Sequence, residues 1–334
     1  MRIWPWVTMG QAVSETDGRS QANAVRLKKW GAVRALLYIV VVAVIGILAK
    51  QIIDSFDALS ALPWFKHPGL LFIHVALLAL VFMLLAAGWS HVLTSFGQSV
   101  AYADAAGCWL VSNAGKYIPG KVFMFAGRVA LCVKLGVRQA ACLWALAIEH
   151  FFLLLATLPF LVVALLQGYT PNVVLGYALA AIVLVAMVLL VRPKLFLLLI
   201  NKILTRMRRE PLAVAPTPGD MLLLAVVYVG TWTLYGLSGV VLSYALEIHT
   251  TMSATTLAAA FVTAWLLGFL SMLTPGGIGV REAALVILLQ SQIATHEAIA
   301  LAVLARATWT LVEITGAAVG WWLAKGWING GKPA

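Results

Sequence analysis

The apolar run that begins at Leu266 is interrupted by one proline and three glycines within five residues: Pro275, Gly276, Gly277 and Gly279. Proline lacks the backbone N–H and fixes φ, and glycine adopts conformations that other residues avoid. The apolar sequence then resumes and at once carries Arg281 and Glu282. Lipid tolerates a broken backbone only where the break is buried in protein or lines a wet cavity. We therefore predict a re-entrant or discontinuous helix pair that lines a site.

A second interruption of the same kind lies between Leu110 and Val129. Pro119 and Gly120 form this break, and it is surrounded by three cationic residues: Lys116, Lys121 and Arg128. Pro275 follows Pro119 by 156 residues, which is nearly half of the chain. Paired segments interrupted by glycine and proline, at corresponding positions of two halves, are typical of the binding site of a transporter.

The remainder of the chain has the composition of a polytopic membrane protein. It is 63% hydrophobic and 10% charged, whereas a soluble domain carries about 25% charged residues. The long polar segments, 1–32 and about 192–219, are both shorter than a typical catalytic domain of about 100–150 residues. We therefore expect the activity to lie within or at the bilayer. The net charge of +11 is explained by cytoplasmic loops that follow the positive-inside rule, without a nucleic-acid partner.

Since a span needs about 20 apolar residues, we predict six full spans at about 33–51, 69–93, 140–166, 172–191, 220–246 and 299–325. The broken segments, about 101–132 and 253–290, follow the second and the fifth span. The fold class is then an all-α polytopic membrane protein with two re-entrant pairs. Residues 33–166 form the first membrane repeat and 167–325 the second, between a polar segment at 1–32 and a tail at 326–334. Because each repeat has an odd number of spans, we expect the two repeats to be inverted.

The positions of lysine and arginine support this count. Six spans place four basic groups on one side of the membrane, at 26–34, 134–138, 192–209 and 325–332. Both termini are then cytoplasmic, the first broken pair begins on the cytoplasmic side, and the second begins on the opposite side. Within the interfacial loop at about 192–219, the segment Arg192–Glu210 is either a helix that lies on the inner leaflet or a span that extends into its loop.

Ionisable residues inside spans are costly and usually functional. Glu149 and His150 lie in the third span, and Arg306 and Glu313 in the sixth. Arg306 and Glu313 are seven residues apart and so share one helix face. Two interpretations remain open. One is an internal ion pair, for example Glu149 with Arg306, which fixes helix packing. The other is a wet cavity between the repeats that accepts a charged head group.

The charges beside the breaks are similarly open to two interpretations. Lys116, Lys121 and Arg128 are either ordinary cytoplasmic-side charges or a basic ring that binds phosphate at free helix ends. Tyr117 is either an interfacial aromatic residue or a donor of a hydroxyl to the same ring. Arg281 and Glu282 either pair with each other or across the repeats, or close the outer side of the cavity.

Sequence motifs of enzymes are absent. The chain lacks a zinc-protease motif, a nucleophile elbow and a phosphate-binding P-loop, and Gly276–Gly279 has no strand before it, as a dinucleotide loop requires. The three cysteines are scattered, which indicates neither a disulfide framework nor a zinc site. We expect no enzyme activity, no metal and no cofactor.

Two motifs resemble one known family. The first is Asn113–Lys121, NAGKYIPGK, followed by Arg128, and the second is Thr274–Glu282, TPGGIGVRE. Both are similar to signatures of the lysylphosphatidylglycerol synthase transmembrane, or flippase-domain, family. The resemblance covers about residues 30–325. It implies an inner-membrane protein of bacteria or archaea. In fused members, this membrane part moves an aminoacylated lipid to the outer leaflet. We expect a free-standing member without the synthase domain.

Two functions follow as hypotheses. The first is a flippase that moves an anionic, aminoacylated or polyprenyl-phosphate-linked lipid through a polar groove between the repeats. In that case Arg128→Ala, Glu149→Ala or Arg306→Ala is expected to abolish translocation and leave the fold intact. The second is a membrane partner that holds a separate synthase or glycosyltransferase without transporting anything. An intramembrane enzyme is a weaker third, since no nucleophile and base are recognisable.

Overall fold

The computed structural model describes residues 66–117, 122–166, 216–271 and 274–328, with isolated positions between 50 and 63 and between 198 and 214. Every element in these ranges is helical: α1 (Pro68–Ser95), α2 (Tyr102–Asn113), α3 (Val122–Lys134), α4 (Gln139–Leu155), α5 (Leu158–Leu166), α6 (Pro218–Ala245), α7 (Ala254–Leu270), α8 (Val280–Leu289) and α9 (Thr295–Ile328). Short 3₁₀ turns follow α2 at Ala114–Tyr117 and precede α8 at Pro275–Gly277.

Four helical segments among the described residues are long and apolar enough to cross a membrane. They are α1, α4 together with α5, α6, and α9. These segments coincide with the spans predicted at 69–93, 140–166, 220–246 and 299–325. The other two predicted spans, 33–51 and 172–191, lie outside the described residues, as does most of the stretch 192–219. The count of six spans and the inverted repeat therefore stay predictions.

Helices α1 and α6 are antiparallel and are clamped at both ends by polar contacts. The Nζ atom of Lys66 lies 2.7 Å from Oε1 of Glu247, just before α1 and just after α6. At the other end, Nε2 of His91 lies 3.0 Å from Oδ1 of Asp220. The hydrogen bond from Lys66, followed by one from His67, lowers the pKa of Glu247 below its ordinary value. The clamps fix the register of the two helices.

Helix α2 packs closely against the C-terminal half of α9 because glycines lie on both sides of the contact. A methyl group on Gly107 would lie 3.2 Å from the carbonyl oxygen of Gly320, and one on Gly320 would lie 2.6 Å from Cβ of Leu110. Small residues let helix backbones approach in membranes, where packing rather than hydrophobicity drives association. This close approach positions the end of α2 beside the middle of α9.

Candidate functional site

The second helix interruption is present as a turn between α7 and α8, and it touches the 3₁₀ turn Ala114–Tyr117 that follows α2. Helix α2 ends at Asn113 and α3 begins at Val122; residues 118–121, which include the predicted break residues Pro119 and Gly120 and the cation Lys121, lie outside the described residues. In the second turn, Gly276, Gly277 and Gly279 have φ of 59°, 72° and 85°, the left-handed region that favours glycine. The ring of Tyr117 lies directly against Gly276.

Glu313 of α9 binds the first turn, Ala114–Tyr117, together with the end of α2. Its carboxylate accepts hydrogen bonds from the side chains of Asn113 at 2.7 Å and Tyr117 at 2.6 Å. It also forms an ion pair with Lys116. Glu313 is 3% exposed, so these three donors replace the water that a carboxylate would otherwise bind. A single acidic side chain of α9 therefore fixes the position of the first turn.

Arg306, which precedes Glu313 by seven residues on α9, binds the second turn, Pro275–Gly277, in the same way. Its Nη2 donates to the carbonyl oxygen of Gly276 at 3.1 Å, and its Nε lies 3.5 Å from Oε1 of Glu282. The carboxylate of Glu282 also accepts from the backbone N–H of Gly279 at 2.5 Å and so caps the first turn of α8. One face of α9 thus binds both interruptions.

Arg128 of α3 and Glu149 of α4 form the third buried ion pair of the site. Nη1 of Arg128 lies 2.5 Å from Oε2 of Glu149, and Nε of Arg128 donates to the Ser112 hydroxyl at 2.9 Å. The indole N–H of Trp109 donates to the other oxygen of Glu149 at 2.5 Å. The predicted pairing of Glu149 with Arg306 is wrong, because α3 returns alongside α4 and offers a nearer cation from the same half of the chain.

Arg281 and Glu282 are neighbours in the sequence but face different partners. Arg281 donates to the hydroxyl of Tyr235. The centre of its guanidinium lies 5.2 Å from the ring centroid of Tyr235 and 4.7 Å from that of Trp309. Lys116 approaches the same Trp309 ring, at 5.8 Å. Trp309 therefore contacts one cation from each side of the site, and ring faces attract cations by cation–π interaction.

These groups surround a small cavity. Its polar lining includes Asn113, Lys116, Arg128, Glu149, Arg281 and Arg306. Its volume, counted as space for the centres of water molecules, is about 70 Å³, whereas one buried water needs about 10–15 Å³. The cavity therefore has room for several waters. His150 also lines it, with its ring Nδ1 2.9 Å from the carbonyl oxygen of Leu146.

Nine of the ten predicted binding residues lie in the described part of the chain. Eight of them line this cavity or belong to its ion pairs, and the ninth, Tyr117, donates a hydrogen bond to Glu313. The tenth, Lys121, lies outside the described residues. The aromatic residues Trp109, Tyr235 and Trp309 were missed by sequence reasoning. A signal existed for Trp309, which lies three residues after Arg306 and four before Glu313 and so on their helix face. In the described part of the chain, no group of three His, Cys, Asp or Glu side chains is placed to hold a metal ion.

The hydroxyl of Tyr117 offers a direct test of how strongly Glu313 holds the first turn. We expect Tyr117→Phe to lower the free energy of unfolding in detergent micelles by about 1.5–3 kcal/mol, because the hydroxyl donates to a buried carboxylate. Tyr228→Phe is the matched control, since the Tyr228 hydroxyl is buried without a hydrogen-bond partner among the described residues. Its removal is expected to be neutral or stabilising. An equal loss in both variants would contradict the assignment.

One comparison with known families finds a match. A family model described as the lysylphosphatidylglycerol synthase TM region matches residues 31–315. This range covers most of the chain and includes both interruptions and all three buried ion pairs. No curated protein matches the chain.

Proposed function

This chain belongs to the lysylphosphatidylglycerol synthase TM region family, a family of membrane proteins tied to lipid handling, and from that premise we propose that it is a lipid flippase. It moves an anionic or phosphate-linked head group between leaflets through the polar site between the two turns, while the lipid tails remain in the bilayer. The polar site, by this proposal, belongs to an inner-membrane protein with both termini in the cytoplasm.

The observation that carries the proposal is the charge buried where the two turns meet. Four cations and three carboxylates are between 1% and 16% exposed there, in a chain with four membrane-crossing helical segments. Charges inside a membrane protein are expensive, and they commonly mark substrate or ion pathways. Interrupted helices whose ends point at such charges are typical of transporter binding sites.

The cavity of about 70 Å³ is much smaller than ligand pockets, which commonly measure about 300–1,000 Å³. In the proposed cycle, this arrangement is the closed state. By this proposal a head group enters by separating ion pairs, so that its phosphate takes the place of Glu313 at Lys116 or of Glu282 at Arg306. Arg128 and Glu149 form the wall of the first half, and Arg281 closes the second against Tyr235 and Trp309.

Reconstitution of the purified chain tests the proposal. In liposomes with a tail-labelled phospholipid, we expect the chain alone to transfer label between leaflets, measured by chemical quenching of the outer leaflet. Lys116→Gln and Arg306→Gln are expected to slow transfer at least about tenfold, a barrier increase of about 1.4 kcal/mol, because each removes a cation that the phosphate binds in place of the carboxylate partner.

Lys325→Gln is the matched control, since Lys325 is a cation in the last turn of α9, near the Trp322 ring and away from the cavity. It is expected to transfer lipid at the unsubstituted rate. Absence of transfer by the chain alone, with transfer or lipid synthesis restored by a separate synthase or glycosyltransferase, would instead support a scaffolding role. Full transfer by both site variants would remove the site from the pathway.

A further inference from the structure

The buried charges around the two turns do not cancel. Among the described residues of the site, three cations are matched by carboxylates: Lys116 by Glu313, Arg128 by Glu149 and Arg306 by Glu282. The fourth cation, Arg281, donates to the neutral hydroxyl of Tyr235. With His150 counted as neutral, the site carries one positive charge that no side chain of the described cluster matches.

Arg281 is 6% exposed and so cannot rely on bulk water to stabilise its charge. The faces of Tyr235 and Trp309, at 5.2 Å and 4.7 Å, attract the guanidinium but supply no negative charge. A buried charge without a counter-charge is strongly unfavourable, whereas a matched pair is close to neutral in its effect on stability. The described residues of the site therefore leave one positive charge that a bound anion would balance.

Two donors beside Arg281 are also without hydrogen-bond partners among the described residues. They are the indole N–H of Trp309, which lines the cavity and is 3% exposed, and Nε of Arg306. This Nε faces Oε1 of its ion-pair partner Glu282 at 3.5 Å, and that oxygen also lacks a hydrogen bond among the described residues. Buried donors are nearly always satisfied in native proteins. A guanidinium, an indole N–H and a second guanidinium N–H around one cavity suit an anion with several acceptor oxygens, which is the chemistry of a phosphate group.

We propose that this site binds a single phosphodiester monoanion and that Arg281 is the residue that supplies its counter-charge. Trp309 and Arg306 complete the hydrogen bonds of the phosphate. The preferred substrates are consequently lipids whose head group carries a net charge of −1. A zwitterionic head group leaves the excess positive charge of the site in place, and a doubly charged phosphomonoester leaves an excess negative charge. This inference rests on the proposed flippase function and specifies its substrate class.

The test compares two lipids that share one tail label. Liposomes contain tail-labelled phosphatidylglycerol, with one net negative charge, or tail-labelled phosphatidylethanolamine, which is zwitterionic. We expect the unsubstituted chain to transfer the anionic lipid at least about tenfold faster, which corresponds to about 1.4 kcal/mol between the two transition states. Arg281→Gln is expected to abolish this preference. Arg281→Lys, which keeps the charge, is expected to retain most of it.

A second variant covers the case in which Arg281→Gln does not fold. Glu282→Gln keeps an oxygen to accept from the N–H of Gly279 but raises the unmatched charge to two. It is expected to shift the preference towards phosphatidate, a phosphomonoester that is close to doubly charged at pH 8. Lys325→Gln, distant from the cavity, is expected to leave the preference unchanged.

The outcomes separate this inference from the proposed function. No transfer of either lipid by the unsubstituted chain overturns the flippase proposal itself. Equal transfer of both lipids, or faster transfer of the zwitterionic one, overturns the inference and leaves the flippase proposal standing. An unchanged preference in both folded Arg281→Gln and Glu282→Gln overturns the charge count as the basis of selectivity.

Discussion

Arg128→Met is expected to lower the free energy of unfolding by about 3–5 kcal/mol, because it leaves the carboxylate of Glu149 buried without its cation. Arg128 is 1% exposed and Glu149 is 2% exposed, so water cannot take over the lost contacts. The measurement is chemical unfolding in mixed micelles. This expectation revises the one drawn from the sequence, in which Arg128→Ala and Glu149→Ala leave the fold intact and remove only translocation.

The double variant Arg128→Met with Glu149→Gln distinguishes a lost charge partner from lost packing. The glutamine still offers an oxygen to the indole N–H of Trp109, and no unmatched charge remains. We expect the double variant to recover most of the stability, since buried ion pairs are often neutral when both members are replaced. Arg206→Met, at an exposed cation, is the control. Additive losses in the double variant would show that packing alone explains the effect.

Gly277→Ala is expected to destabilise the protein by about 2–5 kcal/mol and to abolish lipid transfer. Gly277 has φ of 72°, which costs an alanine about 1–2 kcal/mol. An added Cβ would also lie 2.6 Å from the carbonyl oxygen of Gly268, and such overpacking costs about 1–3 kcal/mol more. A shift of this turn would displace the carbonyl of Gly276 from Arg306. We therefore expect Gly277→Ala also to abolish lipid transfer in the liposome assay.

Substitutions at two other glycines separate the cost of the positive φ from the cost of the close contact with Gly268. Gly279 has φ of 85° but an added Cβ there would meet nothing within 4 Å, so Gly279→Ala isolates the cost of conformation. Gly230 lies within α6 and also has open space around it, so Gly230→Ala is expected to be neutral or slightly stabilising. If Gly277→Ala were no worse than Gly279→Ala, the close contact with Gly268 would not contribute.

The sequence was sufficient to predict the features that depend on local chemistry. Apolar length placed the four described membrane-crossing segments, and the glycines around Pro275 predicted the turn that the positive φ angles now show. The seven-residue spacing of Arg306 and Glu313 predicted a shared helix face. Each of these follows from a few neighbouring residues, so no knowledge of which helices pack together was needed.

The partners of the buried charges could not be predicted, because they depend on which helices meet. Glu149 pairs with Arg128, 21 residues away, because α4, which carries Glu149, packs against α3. The role of Trp309 was hidden for a related reason. Tryptophan in membrane segments is usually found near the lipid head groups, and its contacts with Lys116 and Arg281 appear only when three helices are assembled.

If the protein is the flippase proposed above, the attachment of both turns to α9 restricts its transport cycle. Arg306 and Glu313 are seven residues apart, which is about 10 Å along a helix, and each holds one turn. If α9 tilted or slid as a rigid rod, both attachments would loosen together and ions could leak along a continuous aqueous path. The proposed flippase is therefore expected to release its two turns one at a time from a stationary α9.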